Sequence, residues 1–146
     1  MSDSLSGRGQ NPRYFSNVRH EMAPFVPARY THVLEVGCGE GVSAQLFPHA
    51  REIWGVEMER VAAEHARQRM KHVLVGTFKQ VCEALPLGYF DLVVCHDVIE
   101  HMADPEEFLR SVQRYMTGDG HVMSSIPNMR HWEVLLMLVL GKDWRY

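Results

Sequence analysis

Basic clusters, paired cysteines and long apolar runs are what this chain lacks. Lysine and arginine number 15 against 18 acids, a net charge of −3. With no local Lys/Arg cluster either, the sequence gives no support for a nucleic-acid partner. The three cysteines, Cys38, Cys82 and Cys95, are an odd number. Two of them fall where strands are expected to end, which argues against a disulfide framework and fits a reducing cytoplasm. The apolar run Val134 to Leu140 is seven residues long, against the roughly 20 that a bilayer-spanning helix needs. No signal-peptide apolar core stands at the N-terminus, and the Ser/Gly-rich stretch Met1 to Asn11 reads as mobile.

The 146 residues, 46% hydrophobic and 23% charged, are enough for one domain with one core. The chain is organised around His32-Val33-Leu34-Glu35-Val36-Gly37-Cys38-Gly39-Glu40-Gly41. Val33, Leu34 and Val36 make the short apolar run of a parallel strand covered on both faces. Glu35 interrupts that run, and a carboxylate there costs free energy unless the strand end is open or the charge meets a partner. Three glycines at alternate positions then allow a sharp turn and close backbone approach to a ligand. A helix from about Glu40 would aim its free N–H groups at the same spot. Ile53 to Glu57 reads as a second strand ending in an acid about 20 residues past the first glycine, where nucleotide-binding folds place the carboxylate for ribose hydroxyls.

Leu34 to Gly41, with Glu57, resembles the S-adenosylmethionine (SAM) signature of class I methyltransferases, of the type 11/23-like kind. A dinucleotide fingerprint would want its third glycine three positions after the second, where Val42 stands. A nucleotide-dependent oxidoreductase is therefore the weaker reading.

The remaining chain alternates strand and helix. Before the core, Val18, Met22 and Phe25 line one side of a short helix closed by Pro24 and Pro27. Val42 to Phe47 is a short helix stopped by Pro48. Glu59 to Met70 is amphipathic, with Ala62, Ala63, Ala66 and Met70 on one face. Val73 to Gly76 is a third strand and Phe90 to Cys95 a fourth, leading into His96-Asp97-Val98-Ile99-Glu100-His101. Asp104-Pro105-Glu106-Glu107 opens a helix as N-cap, first-turn proline and two acids. Phe108, Leu109, Val112 and Met116 face the core from it, and Gly118 and Gly120 end it. His121 to Ile126 is the fifth strand, broken by Pro127-Asn128. The fold class is α/β, a doubly wound, mainly parallel sheet.

Right-handed crossovers and the resemblance together imply a Rossmann-like methyltransferase fold with strand order 3-2-1-4-5. Residues 1–30 would be a mobile N-terminus and short capping helix, and 31–146 the SAM-binding domain. A complete member of that class adds strands 6 and 7, so the chain reads as truncated before them. That would leave the apolar helix within Trp132 to Leu140 exposed as a route to a homodimer.

The resemblance also implies site residues. Gly37, Cys38, Gly39 and Gly41 would shape the methionine and ribose pocket, Glu57 would bind the ribose hydroxyls, and Glu35 would anchor the turn or the amino group. Tyr14 or Arg19 would reach the methionine carboxylate, unless that helix merely covers the sheet. Met58 would lie against adenine or pack as plain core. Thr77 and Phe78 replace the acid that commonly meets the adenine amino group, leaving Phe78 to stack on the base or its main chain to recognise it. His96 and Asp97 stand where the methionine end of SAM and the acceptor should meet.

His101 is the candidate general base, an imidazole titrating near neutrality, with Asp97 beside it; Asn128 and His131 would line the acceptor side. Asp97, Glu100 and His101, at i, i+3 and i+4, resemble the acid-x-x-Glu-His pattern of ubiquinone-pathway O-methyltransferases and are the candidate metal set, against the stronger reading of no metal. Ser124 to Trp132, with Gly141 and Trp144-Arg145-Tyr146 behind it, resembles methyltransferases linked to glycosyltransferases. That implies a small-molecule or saccharide acceptor. The competing reading is a SAM-binding or interaction module without turnover.

Overall fold

A computed structural model describes residues 18–126. Five strands form one parallel sheet: β1 (His32–Val36), β2 (Glu52–Glu57), β3 (His72–Val75), β4 (Phe90–His96) and β5 (Met116–Ser125), in the order β3-β2-β1-β4-β5. This is the expected 3-2-1-4-5 arrangement. Among the described residues three α-helices accompany it: α1 (Arg60–Ala66), α2 (Phe78–Val81) and α3 (Pro105–Gln113). Short 3₁₀ turns occupy His20–Phe25, Val42–Leu46, Cys82–Ala84 and Ile99–His101.

The period-two alternation of buried strands sorts the core into two layers. Leu34, Val36, Val56, Phe90, Val93 and Cys95 face the α2 and α3 side, where they meet Phe78, Phe108 and Val112. Val33, Leu92 and Val94 face the opposite side with Phe47, and Ala63 and Ala66 of α1 continue that layer. Small alanines let α1 lie close to the sheet. Burying a side chain such as Leu34 or Val93, each fully buried, contributes about 1.5–3 kcal/mol. Glu35 shares the second face with Val33, so its carboxylate enters the core side of the sheet.

Helix α3 starts as the sequence implies: Asp104 Oδ1 accepts the Glu107 N–H at 2.8 Å, with Pro105 next. Its end differs. The Tyr115 carbonyl accepts the N–H groups of Tyr89 and Phe90 at 2.8 and 2.9 Å, so the chain is captured by the start of β4. Met116, expected as the last core residue of the helix, instead pairs with Phe90 as the first residue of β5. Gly118 and Gly120 therefore lie inside β5, at a register shift opposite Phe90–Leu92, and do not cap a helix. Helix α1 likewise stops at Ala66, short of Met70, where the N–H groups of Gln68 and Arg69 bond only three residues back, onto the His65 and Ala66 carbonyls.

Candidate functional site

Parallel strands put all five carboxyl ends on one edge, and the chemistry-bearing residues gather there. Directly after β1 the chain turns through Gly37, Gly39 and Gly41, with φ of +75°, +52° and +73°, a region that disfavours any side chain with a Cβ. The Val56 carbonyl of β2 pins the turn, accepting the N–H groups of Gly37 and Cys38 at 2.8 and 3.1 Å. A Cβ on Gly37 would fall 2.3 Å from Val98 Cγ2, and one on Gly41 would fall 3.0 Å from the Ala66 backbone. The segment expected as a helix N-terminus from Glu40 is only the five-residue 3₁₀ turn Val42–Leu46, capped by Gly41. Approach to the backbone, and not a helix dipole, is therefore what this turn provides.

Glu57 ends β2 against that turn. Its Oε2 accepts the Gly39 N–H at 2.8 Å and its Oε1 the Glu59 N–H at 2.8 Å. At 6% exposure the carboxylate is fixed against the glycine turn. Each oxygen keeps a second lone pair for a hydroxyl donor. Glu35 is buried deeper, at 2% exposure, and its partner is the Ser43 hydroxyl, which donates to Oε2. Burial, reinforced by the charge of Glu57 and opposed by the Ser43 hydrogen bond, raises its pKa to about 8. Burial likewise pushes the Cys38 thiol up, and the Cys95 thiol up to about 12. Neither is a nucleophile.

At the ends of β4 and β5 a second group forms. Asp97, 7% exposed and at φ +52°, is ion-paired through Oδ2 with Arg19. Its Oδ1 accepts the Ser125 hydroxyl at 2.9 Å. Ser125 Oγ also lies 3.3 Å from His96 Nδ1. Since that hydroxyl proton goes to Asp97, His96 donates from Nδ1 and its Nε2, buried with no partner among the described residues, carries a bare lone pair. Burial lowers the His96 pKa, as does the Arg19 charge, partly offset by Glu21. Arg19, expected at the methionine carboxylate, is thus engaged with Asp97 and, at 3.6 Å, with Glu21.

The candidate metal set does not converge. Glu100 and His101 are exposed on the Ile99–His101 turn while Asp97 is buried against Arg19. Among the described residues no group of three His, Cys, Asp or Glu side chains is placed to hold a metal ion.

On the β2–β3 side, Met58 is 72% exposed, which excludes the plain-core alternative for it. Thr77 is the N-cap of α2, its N–H donating to Gln80 Oε1 at 2.9 Å. Phe78 requires a correction as a base-stacking ring. It is buried and meets Phe108 and Tyr115 edge-to-face, with ring centroids 5.1 and 5.9 Å away. Beginning α2 at this residue turns the ring into the core, where aromatic packing holds it.

Three participants were not singled out from the sequence: Ser43, Val98 and Ser125. Only Ser43 had a signal, because a strand-end acid needs a partner and Ser43 is the hydroxyl just beyond the glycine turn. Tyr14, Asn128, His131 and the apolar run 134–140 lie outside the described residues.

A family profile described as a methyltransferase domain matches residues 8–146. The chain is 38% identical over 112 residues to a Mycobacterium tuberculosis protein named as a probable S-adenosylmethionine-dependent methyltransferase, covering 76% of this chain and 40% of that one. It is 32% identical over 119 residues to the ubiquinone biosynthesis O-methyltransferase of Pseudomonas paraeruginosa, covering 77% of this chain and 50% of the relative. It thus spans half or less of the length of these relatives. A SAM-dependent methyltransferase structure from Thermotoga maritima shares the fold, with a TM-score of 0.63 at 24% identity, covering 82% of this chain and 55% of that one.

Proposed function

Because the chain belongs to the methyltransferase-domain family, we propose that it transfers a methyl group from SAM to a small-molecule or saccharide acceptor. The observation that carries the reading is the meeting of Glu57 with the glycine turn through the Gly39 N–H at 2.8 Å. It places a carboxylate with spare lone pairs beside a backbone stretch that ligands can approach closely.

Charge supports the fit. SAM carries an ammonium, a sulfonium and a carboxylate, a net positive charge, and the edge offers Glu35, Glu57 and Asp97 as buried acids. When bound, the cofactor supplies a methyl on a sulfonium leaving group, so the protein's task is placement and proton handling.

In this reading Gly37, Cys38, Gly39 and Gly41 shape the pocket floor and Glu57 accepts the ribose hydroxyls. Exposed Met58 lies against adenine, and with the Phe78 ring in the core the base edge falls to the main chain at Thr77 and Phe78. Arg19 exchanges Asp97 for the methionine carboxylate. His96 Nε2, the unpartnered acceptor at the end of β4, faces the methionine and acceptor end. His101, exposed on the turn after β4, removes the acceptor's proton, while Asp97 stays with Ser125. The acceptor's oxygen, nitrogen or carbon must lie in line with the methyl, which is a demand on orientation.

Isothermal titration of the purified chain with SAM, S-adenosylhomocysteine and NAD tests the reading. Binding of the first two and none of the third is expected; a folded chain that binds none of them, or only NAD, overturns it.

A further inference from the structure

Among the buried groups of the described residues, Glu35 is the one whose surroundings do not account for a charge. It sits on the core face of β1, and its register partners are Gly55 on β2 and Val94 on β4, neither of which brings a charge. The titratable groups nearest it are Glu57 from β2 and Cys38 from the glycine turn, with Cys95 of β4 on the other face of the sheet. The turn Val42–Leu46 contributes the neutral Ser43 hydroxyl. None of these is a cation. A carboxylate taken from water into such a place, with another acid alongside and one hydroxyl as hydrogen-bond partner, is more stable as the neutral acid.

The ligand proposed for this edge has a net positive charge. We propose that Glu35 is protonated in the free protein and gives up its proton to solvent when SAM binds, so that cofactor capture is coupled to release of one proton. This rests on the SAM reading above. The ligand's positive charge above the glycine turn supplies what the described residues lack around Glu35, and the carboxylate in turn holds that charge. Ser43 is a positioning residue here, since its hydroxyl donates to the ionised form and sets how readily the proton leaves. The raised pKa of about 8 agrees with this geometry and places the transition just above neutrality.

By linkage, affinity for SAM then rises with pH where empty Glu35 is protonated and bound Glu35 is not. The expected rise is about tenfold per unit between pH 6 and 7, levelling off beyond about pH 8. The test is calorimetric titration of the full chain with SAM in buffers of differing ionisation enthalpy, which counts protons. The amino group of SAM itself titrates at about 7.7–8.0, so Glu35→Gln gives the baseline. Close to one more proton should be released at pH 7 by the wild type than by the variant. Equal proton counts in the two would overturn the proposal. Ser43→Ala, which keeps the carboxyl, should move the levelling-off to higher pH; an unmoved profile would also overturn it. Failure of SAM to bind the folded wild type would instead reject the SAM reading itself, and this proposal with it.

Discussion

Replacing Gly37 by alanine sets a backbone effect against a packing effect at one position. The residue sits at φ +75°, which costs an L side chain about 1–2 kcal/mol. The added methyl would also fall 2.3 Å from Val98 Cγ2, so the valine must turn or the 97–101 loop must shift, at roughly 1–3 kcal/mol for overpacking. Together these remove about 2–5 kcal/mol, a large share of the roughly 5–15 kcal/mol that holds a domain folded. Urea denaturation of Gly37→Ala, Val98→Ala and the double variant separates the two parts. The double variant should recover the steric part, a coupling of about 1–3 kcal/mol, and retain the φ cost. A Gly37→Ala protein within about 0.5 kcal/mol of wild type, or strictly additive losses, would refute the close approach of Val98 to the turn.

Glu57→Ala should weaken SAM binding by roughly 1–3 kcal/mol through loss of a charge-assisted acceptor, read by titration calorimetry; unchanged affinity would remove Glu57 from the ribose site. Glu35 has its folded pKa raised from 4.5 to about 8. The unfolded chain therefore loses this proton first as pH rises, and stability should fall by up to about 1.4 kcal/mol per unit across that window. Urea midpoints at pH 5.5 and 7.5 for wild type and Glu35→Gln check this, and the variant should lack that component of the slope. Arg19→Ala leaves Asp97 buried without its cation. It should cost about 1–3 kcal/mol, reduced in Arg19→Ala/Asp97→Asn; no recovery in the double variant would deny the pair its role.

Much of the fold was legible because parallel strands carry their burial in composition. The runs at Val33, Val73 and Phe90 each became a strand, and Asp104-Pro105 fixed the start of α3. The conjunction of the glycine turn with Glu57 was legible too, since the spacing alone brings the second strand's acid back to the first turn. Boundaries set by partners far along the chain were not legible. Met116 continues a helical period, and only capture of the Tyr115 carbonyl by residues 89 and 90 turns it into a strand. Phe78 could be read as a ligand-facing ring because nothing local shows that Phe108 and Tyr115 will surround it. Arg19 and Asp97 are 78 residues apart in the chain, so their pairing needed the 3₁₀ turn at His20–Phe25 to be laid beside the end of β4. Glu35 was recognised as a group needing a partner, while the identity of that partner, Ser43, depended on how tightly the glycine turn closes.

The measurement that bears most directly on the central claim is a crystal structure of the chain with S-adenosylhomocysteine. The account predicts the ribose hydroxyls within hydrogen-bonding distance of the Glu57 carboxylate, and the ligand lying over Gly37 to Gly41. A ligand bound elsewhere, with Glu57 still held only by the Gly39 and Glu59 N–H groups, would contradict it.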